Sequence, residues 1–220
     1  MKTLFALVFL ALSFTALFGQ NEQSPIVEKE FAYNDWTLEN IRSDSSTNLR
    51  EFTAGKKLVM VVYFAPWCPN WKHDLAFVQG LYDKYKDNGF DVIAIGEYDP
   101  LDSMKSHLKD NKLTFPAVYE SLLRTDMQKT LHYNYRKATG DMRKWGSPWY
   151  VFLEPANIEK SGDTISKRAN VVNGELIKDD AEMFIRAKLG LSVEPKKVAV
   201  SEKEIEVCEQ EKKTANLVKP

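Results

Sequence analysis

Cysteine is scarce in this chain: two residues in 220, Cys68 and Cys208, cannot staple a small fold through a disulfide framework. Either they react, or they pair with each other, or they are idle. An excess of one charge sign is missing too. Thirty basic residues face 31 acidic ones, for a formal charge of −1, so no overall field points to nucleic acid or anionic lipid. The three histidines show no ligand spacing with one another, and no metal or cofactor is predicted. Internal repeats and low-complexity tracts are absent, which excludes solenoids and arrays.

Long hydrophobic runs are also lacking, apart from one at the N-terminus. Met1-Lys2 is followed by an uncharged apolar stretch from Leu4 to Phe18 and then by Gly19-Gln20. A basic start, an apolar centre and a small residue at the end predict a signal peptide over residues 1–19, cut near Gly19. The stretch is shorter than the roughly 20 residues that a permanent span requires, so no stable membrane span is expected after cleavage. What remains suffices for one α/β domain with a tail.

The organisation predicted from pattern is an N-terminal arm or short hairpin over residues 20–50, a domain over 51–190 and a charged, partly disordered tail over 191–220. Leu58 to Phe64 is a continuous β-branched and aromatic run, the signature of a strand buried on both faces. After Pro69, the residues Trp71, Leu75, Val78, Tyr82 and Tyr85 recur at helical steps, and Gly89 stands where a C-terminal cap is expected. Phe90 to Ile95 reads as a second strand, Asp99-Pro100 opens a second helix, and Trp149 to Leu153 reads as a further strand. Asn173-Gly174 predicts a type I′ hairpin between Ile165–Val172 and Glu175–Ile177, with a helix capped by Asp179 or Asp180 after it. Between Arg124 and Lys144 six cations face only Asp126 and Asp141.

The chemistry concentrates in Trp67-Cys68-Pro69-Asn70-Trp71, where the strand hands over to the helix. A cysteine at a helix mouth meets exposed N–H groups and the positive end of the helix dipole, which favour thiolate over thiol. Pro69 suits the first helical turn because its missing N–H would have had no partner there. That position predicts an exposed, reactive Cys68. For Trp71 two readings stand, packing in the helix stripe or contact with a ligand.

Phe64-Ala65-Pro66-Trp67-Cys68-Pro69-Asn70-Trp71, the phrase Leu113-Thr114-Phe115-Pro116 and Gly146-Ser147-Pro148 before a strand, taken in this order, resemble the thioredoxin superfamily. Within it they look like the exported TlpA-like thiol-disulfide proteins. The resemblance implies an α/β thioredoxin-like fold with a central mixed sheet flanked by helices, and a periplasmic or secreted location. It implies a thiol- or disulfide-containing protein or a small thiol as partner, Cys68 as the catalytic thiol, and Trp67, Pro69, Trp71, Ser147 and Pro148 as substrate-binding residues. Pro148 would be cis, beside the thiol, with Ser147 offering its backbone to a substrate strand; the alternative is an ordinary trans proline.

Two positions depart from that family. The second cysteine, three residues after the first, is here Trp71, so a local dithiol cycle cannot run. Six residues before Cys68, where thioredoxins carry a buried aspartate, stands Val62. Peroxiredoxin chemistry wants proline and threonine where this chain has Val61 and Ala65. The expected function is therefore single-thiol disulfide exchange at Cys68, with Cys208 as a possible remote resolving thiol. The rival is an inactive binding or structural module on the same fold.

Overall fold

The computed structural model describes residues 22–192. The predicted leader, most of the predicted tail and Cys208 lie outside the described residues. In chain order the elements are β1 (Gln23–Ser24), β2 (Val27–Asn34), β3 (Thr37–Asn40), β4 (Ser46–Asn48), α1 (Leu49–Thr53), β5 (Leu58–Phe64), α2 (Pro69–Tyr85), β6 (Phe90–Gly96), α3 (Leu101–Asp110), β7 (Ala117–Tyr119), α4 (Leu131–Ala138), β8 (Trp149–Leu153), β9 (Thr164–Val172), β10 (Glu175–Leu176) and α5 (Lys178–Leu189). Eight strands form one mixed sheet in the order β2-β9-β8-β5-β6-β7-β3-β4. Strands β5, β6 and β7 run parallel, while β8 lies antiparallel to β5 on its other side. This is the mixed sheet flanked by helices that the sequence predicts.

β5 is central because its sequence has no polar face to offer water. Leu58, Met60, Val62 and Phe64 enter one core layer beneath α2, and Val59, Val61 and Tyr63 enter the other. All seven are buried, each full side-chain burial contributing about 1.5–3 kcal/mol. A polar residue anywhere in this strand would face apolar packing on either side. The helix α2 then buries Trp71, Leu75, Val78 and Tyr85 of the predicted stripe over the first layer, with Leu81 buried in place of Tyr82, which is only partly covered. The helix stops at Tyr85, and Gly89, expected as its cap, instead ends the 3-10 turn Lys86–Asn88 that follows, left-handed at φ +94°.

Within residues 22–50, the segment expected as an arm or short hairpin, β3 and β4 form such a hairpin, but the segment is not separate from the core. β2 pairs antiparallel with β9 and β3 pairs with β7, so this segment supplies two flanks of the main sheet. Phe31 and Tyr33 anchor it in the second core layer, their polar neighbours facing outward. The hairpin expected at Asn173-Gly174 is not formed either. β10 pairs in parallel with β1, not with β9. The Asn173 side chain is engaged elsewhere, accepting from Trp149 Nε1 at 2.7 Å and donating to the Thr139 carbonyl at 3.2 Å. A Cβ on Gly174 would lie 2.0 Å from the Glu22 carbonyl oxygen, so glycine serves a close backbone approach at this point. The α5 cap is also displaced, with Ile177 at the N-cap and Asp179 and Asp180 in the first turn. No helix of the described residues is long and apolar enough to cross a membrane.

Candidate active site

The C-terminal end of β5 delivers the site. After Phe64 the chain turns tightly, the Cys68 N–H donating to the Ala65 carbonyl at 2.9 Å, and Cys68 becomes the N-cap of α2 with Pro69 in the first turn. Against it lies the loop before β8, where the Ser147–Pro148 peptide bond is cis. Two bonds join the segments. The Ala65 N–H donates to Ser147 Oγ at 3.0 Å, and Cys68 Sγ donates to the Ser147 carbonyl at 3.1 Å. Ser147 and Cys68, 79 residues apart in sequence, are thus in direct contact.

Cys68 is 6% exposed, which corrects the expectation of an open thiol. Residues from the same core layer, with Trp71 and Phe64 among them, surround it. Trp71 is fully buried, its ring 5.4 Å from that of Phe64 and its Nε1–H donating to His107 Nε2 at 2.9 Å. That bond requires an unprotonated Nε2, in keeping with a His107 imidazole pushed below its ordinary value by burial and by Lys72. Of the two readings for Trp71, packing is the one observed, and no surface is left for a ligand. Pro69 is exposed, and Trp67 is half-buried at the rim.

Several residues near the thiol escaped the sequence reading. Arg143 donates to the Pro148 carbonyl at 2.9 Å and to the Ser147 carbonyl at 3.5 Å, which places a guanidinium one carbonyl away from Cys68 Sγ. The same side chain pairs with Asp141 at 2.8 Å and with Glu22 at 3.1 Å. Burial alone would raise the Asp141 carboxyl, but bonds from Arg143 and the nearby Arg136 hold it below its ordinary value. Glu22 also accepts from the Asn70 side chain, tying the N-terminal strand to the mouth of α2. The signal for Arg143 was its place in the cationic run just before Gly146-Ser147-Pro148. Nothing in the sequence pattern marked Glu22.

Trp67 anchors the outer rim. Its Nε1–H donates to the Tyr98 carbonyl at 3.4 Å, the ring of Trp145 meets it edge-on at 5.3 Å, and the Arg124 guanidinium sits 4.5 Å above it. Tyr98 holds a left-handed backbone at φ +60°, costly for a residue with a Cβ. Its hydroxyl is fixed by His132 Nδ1 at 2.9 Å and by Thr130 at 3.2 Å.

Behind this rim lies a buried polar layer. Glu120 caps α4 by accepting from the N–H groups of Leu131 and His132. No N–H or neutral hydroxyl reaches the buried Glu97 carboxyl. Burial and the adjacent Glu120 push the Glu97 carboxyl well above its ordinary value, which favours its protonated form. Arg136, fully buried, pairs with Asp141 at 3.4 Å and donates to the Arg143 and Lys144 carbonyls at 3.0 and 3.4 Å. It thereby positions the loop that carries Ser147. A Cβ on Gly146 would come within 2.0 Å of that guanidinium, so this position needs glycine.

A family model described as Redoxin matches residues 31–154, more than half of the chain. Protein disulfide-isomerase of Drosophila melanogaster is 29% identical over 113 residues, covering 50% of this chain and 21% of that protein. Thiol-disulfide oxidoreductase ResA of Oceanobacillus iheyensis is 24% identical over 121 residues, covering 54% of this chain and 62% of that protein. The chain thus spans less than two thirds of the length of either relative. Among solved structures, a thiol:disulfide interchange protein of the DsbE type from Chlorobium tepidum is 18% identical with a TM-score of 0.52, covering 75% of this chain and 99% of that one. A secreted thiol-disulfide isomerase from Corynebacterium glutamicum is 16% identical with a TM-score of 0.53, covering 74% and 92%. These two likenesses bear on the fold, which is thioredoxin-like. The match across residues 31–154 adds the family, and the chain belongs to the Redoxin family.

Proposed function

We propose that this protein is an exported, TlpA-like thiol-disulfide protein that works with a single active-site thiol, Cys68, on a thiol- or disulfide-bearing protein or a small thiol. The observation that carries the reading is the contact of Cys68 Sγ with the Ser147 carbonyl beside the cis Ser147–Pro148 bond, at the mouth of α2. Cys68 would attack a substrate disulfide, with Trp67 and Pro69 as the accessible rim for the substrate chain and Ser147 and Pro148, both buried beside the thiol, reached only once the substrate displaces that cover. Turnover requires a thiol from outside the described residues, because Trp71 occupies the place of a local resolving cysteine. Exchange depends on access of a thiolate to the right sulfur, so mixed disulfides at Cys68 would be long-lived. The apolar leader supports a periplasmic or secreted location, and the Corynebacterium isomerase of like fold is itself secreted.

The burial of Cys68 favours a second reading, a binding module that keeps the fold without the chemistry. Alkylation kinetics separate the two. If Cys68 reacts with iodoacetamide faster than a free thiol at neutral pH, and Cys68→Ser abolishes capture of a disulfide-bearing peptide, the thiol reading stands. Capture that survives Cys68→Ser would assign the protein to binding.

A further inference from the structure

The rim around Cys68 carries two cations on tryptophan faces. Arg124 lies over Trp67 at 4.5 Å and Lys144 over Trp145 at 5.3 Å, and neither pairs with a carboxylate among the described residues. Beside them Leu123 and Met142 are 58% and 77% exposed. A face of cations resting on aromatic rings, edged by open apolar side chains, fits a segment that is both acidic and apolar.

The chain itself carries such a segment. Between Glu202 and Glu211 stand Glu202, Glu204, Glu206, Glu209 and Glu211 against the single cation Lys203, with Ile205 and Val207 interleaved and Cys208 among them. The distances allow it to arrive. α5 ends at the far end of β5 from the thiol, its Leu189 carbonyl accepting from Lys57 just before that strand. The seven residues of β5 span roughly 23 Å. From Ser192 to Cys208 the chain can extend to roughly 53 Å, more than twice the length of that strand.

We propose that the segment Glu202–Glu211 docks on the Trp67–Trp145–Arg124–Lys144 rim and presents Cys208 to Cys68 as its resolving thiol. The docking stands on the geometry of the rim and the charge of the segment, whereas the resolving step rests on the thiol reading of Cys68. In that step the Cys68 thiolate attacks a substrate disulfide R–S–S–R′. A Cys68–S–S–R bond forms, and R′ leaves as a thiolate that takes the proton Cys68 gave up. Cys208, as thiolate, then attacks the Cys68 sulfur. A Cys68–Cys208 bond forms, the bond to R breaks, and R leaves with the proton Cys208 lost. The substrate disulfide gains two electrons and the protein dithiol becomes a disulfide.

The two parts are tested separately on the full chain. In the Cys68→Ser, Cys208→Ser double variant no disulfide can form, and the indole N–H resonances of Trp67 and Trp145 report docking alone. They should shift when the five glutamates are changed to lysine, and also when salt is raised from about 20 to about 500 mM, which shortens the screening length several-fold. Indoles indifferent to tail charge overturn the docking whatever Cys68 does, and a response that depends on protein concentration overturns it in favour of a second copy's tail. For the chemistry, oxidised glutathione is added to the chain with both cysteines, and the products are read by mass spectrometry after acid quench. Arg124→Glu with Lys144→Glu should slow formation of the Cys68–Cys208 disulfide about tenfold or more. Combining those changes with the glutamate-to-lysine tail should restore the rate. Failure of that rescue overturns the pairing, whereas indoles that respond while Cys68 takes no glutathione overturn the thiol reading and the resolving step with it.

Discussion

The cations between Arg124 and Lys144 divide into two regions that treat charge differently. Inside, Arg136 and Arg143 converge on Asp141, and Arg143 also reaches Glu22. Outside, Arg124 and Lys144 rest on tryptophan faces with no carboxylate partner among the described residues. An interior charge must be paired or neutralised because desolvation costs several kcal/mol per ion. A surface charge carries no such requirement. The inner pair therefore fixes the loop bearing Ser147 and Pro148, while the outer pair is left free to meet a partner.

The sharpest way to probe the inner region is to disturb its packing. Trp71→Cys would place a second cysteine three residues after Cys68, but it empties a fully buried indole site and strands the His107 Nε2 bond. We expect a loss of about 3–5 kcal/mol in urea unfolding, as for other large-to-small core changes. A variant as stable as the parent would mean that the site tolerates the family's dithiol arrangement. Arg136→Met should cost about 3 kcal/mol, near the lower end for a broken buried pair because Asp141 keeps Arg143. It should also slow glutathione adduct formation at Cys68, since the Arg143 and Lys144 carbonyls lose the donor that positions the loop.

Glu97→Gln tests neutralisation rather than pairing. In the folded chain burial and Glu120 raise the Glu97 pKa above its ordinary value of 4.5. Below that value both states hold the proton. Above it the unfolded chain releases a proton that the folded chain keeps, so this residue's contribution to stability falls as pH rises towards the folded value. The glutamine variant lacks that loss and should gain stability relative to the parent as pH rises above 4.5, by denaturant midpoint. A gain that shrinks with rising pH would contradict a raised Glu97 pKa. In the outer region, Lys144→Ala should change stability by no more than about 0.5 kcal/mol, the smallest effect of the series.

How far the sequence foretold these regions follows from range. β5, β8 and α2 were legible because each carries a strong local pattern, a run buried on both faces or an apolar stripe at helical steps. α4 was not, because its buried face is His132, Tyr135 and Arg136, residues that read as polar surface. β2 read as an arm because only Phe31 and Tyr33 mark its buried side. At the site, Cys68, Ser147 and Pro148 could be named from motif, whereas the link from Arg143 to Glu22, 121 residues apart, has no local signature. The burial of Cys68 was hidden for the same reason, since the Ser147 carbonyl that meets its sulfur comes from 79 residues away.

The measurement that bears most directly on Cys68 is intact mass after exposure of the folded Cys208→Ser chain to oxidised glutathione, with acid quench. We expect one glutathione on Cys68, retained until a competing thiol is added. A chain that stays bare while folded, yet takes glutathione in denaturant, would contradict a working thiol at this site.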